Sequence, residues 1–203
     1  MKKLIDNEIL KKEDEFYILT VDGNKLVTSL DSSSMKDKKK PVVAAFVLVF
    51  DEKTNKILFT VRAKQPYIEN LNIPGGKVEL GGFCEDEARR ELKEETGLEC
   101  REIQLKAITE KITYNDVDGI NKVEHHIVGY FYLGTNYSGD LIDKTYEGEN
   151  IWISLEEMSN YKRFPDLDIL VPHMLNEKQV KICKIERFRK NGEFVDIKIE
   201  DLN

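Results

Sequence analysis

The stretch GKVELGGFCEDEARRELKEETGL, residues 76–98, joins a glycine-rich turn to the strongest helix signal of the chain. Residues 84–96 are rich in helix-forming residues, and Gly97 stands where a left-handed C-cap would end the helix. Asp86 and Glu87 near the start suit the helix dipole. The segment therefore predicts a helix over 84–96 that directly follows a tight turn.

Four glutamates of this helix share one face. At about 3.6 residues per turn they fall within an arc of roughly 100°: Glu87, Glu91, Glu94 and Glu95. Ala88 and Leu92 lie on an adjacent apolar face that should pack on a sheet. Like charges at this spacing weaken a helix, but an acidic stripe offers the oxygen ligands that hard cations prefer. Solvated acidic helices are also common, so the helix alone leaves both interpretations open.

The glycines before the helix favour a binding site. The segment IPGGKVELGG, residues 73–82, places a tight glycine turn a short distance before the acidic stripe. Such a turn lets the backbone approach a ligand and exposes its N–H and carbonyl groups. A glycine turn beside an acidic helix predicts a site for a metal-bound polyphosphate.

The same stretch resembles the Nudix box, G-x5-E-x7-R-E-U-x-E-E-x-G-U, in which U is aliphatic. Gly76 matches the opening glycine, and the closing half matches in register at Arg90, Glu91, Leu92, Glu94, Glu95, Gly97 and Leu98. The strand order from Pro41 to about Leu175 also resembles the Nudix domain, an α/β/α sandwich with a mixed sheet. We therefore expect an α/β fold of this kind, with residues 41–203 as the Nudix hydrolase domain and a C-terminal hairpin at its end.

One position departs from the family pattern. Gly82 stands where the family has a glutamate that supports the box arginine and the start of the helix. Arg90 is expected to keep its supporting role with a different partner. Glu85 and Asp86 are the two acids that the sequence suggests for that partner.

Residues 1–40 lie outside the resemblance and are expected to form a small appendage. FYILTV at 16–21 predicts a strand, DGN predicts a turn, and KLVTSL at 25–30 predicts the partner strand of a hairpin. The polar stretch DSSSMKDKKK at 31–40 predicts a linker. In nucleotide-sugar and ADP-ribose pyrophosphatases such a hairpin often helps to form a dimer, so the resemblance allows a homodimer.

The resemblance implies a site that depends on Mg²⁺ or Mn²⁺. The metal ligands that it implies are the Gly75 carbonyl and the carboxylates of Glu91, Glu94 and Glu95. A further acid commonly comes from a loop before a late strand, as a ligand or a general base. YEGENIW at 146–152 offers Glu147 for this role, with Glu149 behind it. An ordinary exposed loop acid is the alternative for either residue.

Phosphate contacts are expected from Arg62, at the end of the second strand of the domain, and from Lys77. A solvated strand end is the alternative for Arg62.

The segment RFPDLDILVPHML, residues 163–175, resembles the late segment of MutT-like purine nucleotide hydrolases. Phe164 could stack on a base, and Asp166 or Asp168 could accept hydrogen bonds from a purine edge. The alternative places Phe164 in the core and uses both aspartates to cap the following helix.

Composition narrows the class of partner. The chain has 203 residues and a net charge of -7, which argues against binding to a nucleic acid polymer but not against a small phosphorylated substrate neutralised by cations. An odd count of three cysteines without metal spacing suggests reduced thiols. No signal peptide is visible, and the apolar run at 42–50 is too short to span a bilayer. We therefore expect a cytoplasmic protein with no membrane partner.

These observations favour a metal-dependent nucleoside triphosphate pyrophosphohydrolase of the MutT type, with oxidised purine nucleotides among its candidate substrates. An ADP-ribose or nucleotide-sugar pyrophosphatase is the second enzyme hypothesis. A catalytically silent Nudix module for ligand sensing is the alternative of another class, although the intact trio of Glu91, Glu94 and Glu95 counts against it. The lack of a zinc-ribbon cysteine set counts against the NADH pyrophosphatase branch.

Overall fold

The computed structural model describes residues 5, 7–13, 16–23 and 40–203. The chain divides into two compact units, Met1–Lys40 and Pro41–Asn203.

In the first unit the structure describes an antiparallel strand pair, β1 (Leu10–Glu13) and β2 (Phe16–Leu19). Residues 21–23 are helical, where the sequence predicted the end of a strand and a turn. The predicted strand is confirmed over residues 16–19. Its partner in the structure precedes it, whereas the partner predicted at 25–30 lies outside the described residues.

The second unit contains a nine-stranded sheet and two α-helices. Its strands are β3 (Val42–Asp51), β4 (Lys56–Arg62), β5 (Leu71–Asn72), β6 (Gly75–Lys77), β7 (Glu99–Val117), β8 (Ile120–Ser138), β9 (Gly148–Ile153), β10 (Lys181–Lys190) and β11 (Glu193–Asp201). The helices are α1 (Cys84–Thr96) and α2 (Leu167–Asn176), with a short 3₁₀ helix at Glu157–Asn160.

The sheet is mixed, with the strand order β11-β10-β7-β8-β3-β4-β5, while β6 pairs with β3 and β9 pairs with β4. The β3–β8 and β7–β10 pairs are parallel. Leu48 and Val47 are adjacent on β3 and point to opposite faces. Leu48 joins the core cluster that contains the apolar side of α2, and Val47 joins the cluster that contains Ala88 and Leu92 of α1. The helices therefore cover opposite faces, and the predicted α/β/α architecture is confirmed.

Strand β3 positions the glycine turn. Its first half pairs with β6, where Phe46 faces Gly75, and its end pairs with β4 at Phe50 and Asp51. The backbone N–H of Val47 also donates to the Pro74 carbonyl at 2.9 Å. The turn that leads into α1 is thus hydrogen-bonded to the centre of the sheet.

Three local elements differ from what the sequence predicts. The polar stretch NDVDGIN, residues 115–121, predicts a loop between two strands, but β7 and β8 pair through Val117 and Ile120 and leave only a two-residue Asp-Gly turn. Pro172 predicts an interruption or a bend in the helix of residues 166–175, but α2 continues through it. The stretch SLEEMSNY, residues 154–161, predicts the start of a helix, and the structure has only the 3₁₀ helix at Glu157–Asn160.

Two further sequence signals are confirmed. Ser154 with Glu157 three residues later predicts a capping box, and Asn191-Gly192 predicts the turn of the C-terminal hairpin. The backbone N–H of Ser154 donates to Glu157 at 2.8 Å, and the Glu157 N–H donates to Ser154 Oγ at 3.2 Å, which is a capping box. The C-terminal hairpin turns at Asn191 and Gly192.

All three cysteines are free thiols. Within the described part of the chain, no helix combines the length and the apolar character that a membrane crossing requires.

Candidate functional site

A cavity of about 400 Å³ opens beside the glycine turn and α1. Its walls come from β4, β5, β6, α1 and the loop before β9. Six residues proposed from the sequence line it: Arg62, Gly75, Lys77, Glu91, Glu95 and Glu147. The fold therefore brings together carboxylate and cationic side chains that are far apart in the chain.

Three further lining residues were missed by the sequence reasoning: Thr60, Asn72 and Tyr146. Thr60 lies two residues before Arg62 on β4 and pairs with Asn72 on β5. Strand alternation places residues two apart on the same face, so Arg62 could have pointed to Thr60. Tyr146 directly precedes Glu147 but carried no other signal.

Lys64 connects two of the residues before β9. Its ammonium lies 2.8 Å from Glu147 Oε1 and 3.2 Å from the centroid of the Tyr146 ring. Tyr146 remains 76% exposed. The ion pair and the cation–π contact hold the Glu147 carboxylate at the cavity wall.

Glu95 is the acid of the cavity that contacts the backbone of the glycine turn. Its Oε2 accepts a hydrogen bond of 3.0 Å from the Gly75 N–H. Burial raises the pKa of Glu95 to about 7, and the charges of Glu91 and Glu147 add to this effect, against the lowering by the Gly75 hydrogen bond and Arg62. The three carboxylates thus interact in one cavity.

The glycine turn can come this close to the acids because it carries no side chains. A Cβ at Gly75 would lie 2.2 Å from the Ala45 carbonyl oxygen, and a Cβ at Gly76 would lie 2.5 Å from Glu91 Oε1. Both positions exclude any larger residue unless the backbone or the acid moves.

Arg90 binds three acids of the predicted stripe. Its Nη2 donates to Glu87 at 2.6 Å and to Glu91 at 2.8 Å, its Nε donates to Glu87 at 3.1 Å, and its Nη1 donates to Glu94 at 2.9 Å. These hydrogen bonds, the one to Glu87 above all, raise the pKa of Arg90. The repulsion expected along the stripe is therefore offset by one guanidinium.

The partner predicted for Arg90 was wrong. Glu85 pairs instead with Arg89, at 3.0 Å, and Asp86 makes no hydrogen bond to Arg90 in the structure. The acid that accepts from both Nε and Nη2 of Arg90 is Glu87.

The donor set fits a hard divalent cation. Among residues 40–203 and the described part of the first unit, no group of three acids, histidines or cysteines is already arranged as a metal site. Glu91, Glu95 and Glu147 nevertheless line one cavity, and carboxylate oxygens are the ligands that Mg²⁺ and Mn²⁺ prefer. The Glu94 side chain forms an ion pair with Arg90, is 59% exposed and lies outside the cavity. It would join these acids only after it breaks its ion pair with Arg90.

The residues expected near a base do not reach the cavity. Phe164 is 9% exposed, with its ring centroid 5.0 Å from Tyr67 and 5.8 Å from Phe194. This is the core position that the sequence left as the alternative. Asp168 is on the surface and forms an ion pair with Arg163 at 2.5 Å.

Asp166 is fully buried and lies 2.6 Å from Arg187 and 3.6 Å from Lys111. Although burial opposes ionisation, these two charges hold the pKa of Asp166 below its usual value. Its side chain also makes no capping hydrogen bond to α2. The structure therefore supports neither the contact with a base nor the helix cap, and gives Asp166 the place of a buried counter-ion.

Comparisons with known proteins agree with this geometry. A sequence model of the NUDIX domain matches residues 40–174. The 8-oxo-dGTP diphosphatase of Escherichia coli (strain K12) is 33% identical over 109 residues, which are 53% of this chain and 76% of that protein. The ADP-ribose pyrophosphatase of Methanocaldococcus jannaschii is 38% identical over 76 residues, 37% of this chain and 44% of that protein.

A solved structure supports the fold. The crystal structure of the MutT protein from Bacillus halodurans superimposes with a TM-score of 0.63 at 19% identity, covering 78% of this chain and 97% of that one. The NUDIX match spans more than half of the chain and includes the glycine turn, α1 and the loop of Glu147. The chain therefore belongs to the Nudix family of pyrophosphohydrolases.

Proposed function

We propose that this Nudix hydrolase is a divalent-cation-dependent nucleoside triphosphate pyrophosphohydrolase that releases a nucleoside monophosphate and pyrophosphate. The observation that carries the proposal is the cavity of about 400 Å³, in which Glu91, Glu95 and Glu147 share the walls with Arg62 and Lys77. Phosphoanhydride hydrolysis requires carboxylates that can hold a cation and cationic side chains that can hold phosphate.

The acids of α1 hold the metal in this proposal. Glu91 and Glu95 already face the cavity, and Glu94 completes the set after it leaves Arg90. Bound Mg²⁺ or Mn²⁺ neutralises phosphate charge and lowers the pKa of water. Burial, with the charges of Glu91 and Glu147 adding to it, raises the pKa of Glu95, and a cation held among these carboxylates would relieve their mutual repulsion.

The remaining groups orient the substrate and the water. Arg62 and Lys77 contact phosphate oxygens, and the Gly75–Lys77 backbone permits a close approach. Glu147 faces the same cavity from the loop before β9 and is fixed there by Lys64. This position supports a role for Glu147 as a further ligand or as the base for the attacking water.

The likeness to the bacterial 8-oxo-dGTP diphosphatase supports a triphosphate substrate, with oxidised purine nucleotides as the first candidates. The likeness to an ADP-ribose pyrophosphatase supports a second candidate function. Both reactions break a phosphoanhydride next to a nucleoside, and the same cavity residues serve either.

A substrate panel with Mg²⁺ or Mn²⁺ tests the proposal. It contains 8-oxo-dGTP, the ordinary nucleoside triphosphates and ADP-ribose, and the products are separated and identified. We expect monophosphate and pyrophosphate from a triphosphate, and a loss of at least about 100-fold in Glu95→Gln. The control is Glu99→Gln, an acid of β7 that is 65% exposed.

Different products select between the candidates. AMP from ADP-ribose without triphosphate cleavage supports the second function. Absence of hydrolysis with every substrate, or full activity in Glu95→Gln, contradicts the proposed site.

A further inference from the structure

Gly82 and Glu87 fit each other at the start of α1. We propose that Glu87 is the positioning residue that orients Arg90 in this chain, and that Gly82 is there to leave room for the Glu87 carboxylate. The inference rests on the proposed function, because Arg90 holds two of the acids that would bind the metal. It assigns a role to a residue outside the fixed positions of the Nudix box.

Space, and not backbone conformation, explains the glycine at position 82. A Cβ on Gly82 would lie 2.4 Å from Glu87 Oε1 and 2.8 Å from Glu87 Cγ. The neighbouring Gly81 is the opposite case, since it has a φ of +95° and open space around a Cβ. Gly81 thus allows the backbone conformation of the turn, whereas Gly82 leaves space for the carboxylate of Glu87.

Glu87 makes the most enclosed contact of Arg90. Its Oε2 accepts from both Nε and Nη2 of Arg90, and its side chain is 13% exposed. The Glu94 side chain, which accepts from Nη1, is 59% exposed. Two charge-assisted hydrogen bonds to one edge of a planar guanidinium fix its orientation.

The orientation of Arg90 bears on Glu91, the metal-binding acid that Arg90 contacts at the cavity wall, whereas Glu94 would bind the metal only after leaving Arg90. With Glu87 on its Nε edge, Arg90 directs Nη2 to Glu91, inside the cavity wall, and Nη1 to Glu94, outside it. Without Glu87 the guanidinium can turn towards either acid. We therefore expect loss of Glu87 to weaken metal binding although Glu87 itself lies outside the cavity.

The family pattern carries its supporting glutamate at position 82, so we expect a glutamate there to replace Glu87 as the partner of Arg90. A side chain built on residue 82 starts where the Glu87 carboxyl group lies, and that group is in contact with Arg90. Glutamate at 82 and glutamate at 87 are therefore alternatives for the same space. Each single change should impair the site, and the exchange of the two should restore it.

The test is a set of four full-length proteins: the wild type, Gly82→Glu, Glu87→Ala and the double variant. Mn²⁺ affinity is measured with the metal alone, by titration of the free-ion resonance signal, and thermal unfolding is recorded without metal. We expect Glu87→Ala to weaken Mn²⁺ binding by about tenfold or more. Gly82→Glu should lower the unfolding midpoint, because two glutamates compete for one space.

The double variant gives the decisive result. We expect its Mn²⁺ affinity to return to within about threefold of the wild type, since one carboxylate again orients Arg90. A double variant that binds Mn²⁺ no better than Glu87→Ala overturns the inference, as does wild-type affinity in Glu87→Ala.

Two further variants separate positioning from general damage to the helix. Glu85→Ala removes an acid from the same turn that pairs with Arg89, and it should bind Mn²⁺ like the wild type. Glu87→Gln keeps the shape and serves in place of Glu87→Ala if the alanine variant does not fold. Weakening in Glu85→Ala equal to that in Glu87→Ala would reject a specific role for Glu87.

Failure of the proposed function remains distinguishable. A wild type that hydrolyses no nucleotide but shows the loss and rescue of Mn²⁺ binding rejects the function and keeps the inference. Nucleotide hydrolysis by the wild type, without loss and rescue of Mn²⁺ binding in the variants, supports the function and rejects the inference. A wild type that does not bind Mn²⁺ overturns both.

Discussion

Glu95 differs from the other glutamates of α1 in its surroundings. It is enclosed by the glycine turn, from which it accepts the Gly75 N–H, and it lies near the negative charges of Glu91 and Glu147. Burial and like charges both favour the protonated form. In the metal-free protein this carboxyl group therefore keeps its proton to a higher pH than an exposed glutamate does.

This shift predicts how stability depends on pH in the absence of metal. The pKa of Glu95 is about 7 in the folded protein, against an ordinary value of 4.5. Between these values the folded state holds a proton that the unfolded state has released, so folding loses stability as the pH rises through this range. The unfolding midpoint, measured with a chelator present, should fall between pH 4.5 and 7 more steeply in the wild type than in Glu95→Gln.

A divalent cation should reverse the trend, because it binds the ionised form. Mn²⁺ at neutral pH is expected to raise the midpoint of the wild type and to have little effect on Glu95→Gln. Equal pH profiles for the two proteins without metal would contradict the assigned surroundings of Glu95.

Some site residues could be predicted from helical spacing, whereas others depend on contacts that form only in the folded protein. Glu91 and Glu95 are one turn apart, so their shared face followed from the sequence alone. The choice of Glu87 as the partner of Arg90 did not follow, because it depends on the room beside Gly82, which only the folded turn reveals. Lys64 was also hidden, since its contacts lie more than eighty residues away in the chain.

At the scale of elements, a buried amide connects α1 to the sheet. Asn150 of β9 donates to the Glu95 carbonyl and to the Ile142 carbonyl, each at 2.8 Å, and accepts from Thr60 Oγ1 at 2.7 Å. The carbonyls of a last helical turn lack partners within the helix. Asn150 donates a hydrogen bond to one of these carbonyls, that of Glu95. Through its bond with Thr60 it thereby links the C-terminal end of α1 to β4.

The elements on the other face are held by a buried charge group. Asp166, just before α2, joins Lys111 of β7 and Arg187 of β10. Its two partners are 55 positions before it and 21 after it in the numbering of the chain. A sequence pattern around 163–175 could not reveal them, which explains why Asp166 was expected to contact a base.

Replacement of Asp166 should therefore destabilise the fold. Asp166→Ala leaves two buried cations without their counter-ion, which costs about 3–5 kcal/mol. The matched control is Asp168→Ala, which breaks an ion pair whose acid is 46% exposed and should change stability by less than about 1 kcal/mol. Denaturant unfolding monitored by fluorescence measures both. Similar losses in the two variants would contradict the structural role of Asp166.

The parts of the fold differed in how far the sequence could predict them. The box helix was predictable from its local periodicity, whereas the α/β/α arrangement was expected from the resemblance to the Nudix domain. Residues 115–117 of β7 and 120–121 of β8 were predicted as loop, whereas the structure places them in a hairpin whose Asp-Gly turn needs only two residues. The parallel pairing of β10 with β7 is a long-range contact without a local signal.

For the whole molecule, β10 and β11 lie beyond the NUDIX match at residues 40–174 but take part in the core. β10 pairs with β7 over residues 181–189, and Cys183 and Ile185 are 1% and 0% exposed. Arg187, the counter-ion of Asp166, also comes from β10. Within the described residues, both core clusters are built from residues after Pro41.

Two truncations should consequently behave in opposite ways. A chain of residues 1–177 lacks β10 and β11, which leaves the edge of β7 unpaired and Asp166 without Arg187. It is expected to lose cooperative unfolding or to aggregate, because exposed strand edges promote association. A chain of residues 41–203 keeps both core clusters and should unfold cooperatively within about 5 °C of the full-length midpoint. Calorimetry and size-exclusion chromatography measure these outcomes. Cooperative unfolding of 1–177 would show that β10 and β11 are dispensable for the fold. Loss of cooperative unfolding in 41–203 would show that the second unit depends on the first.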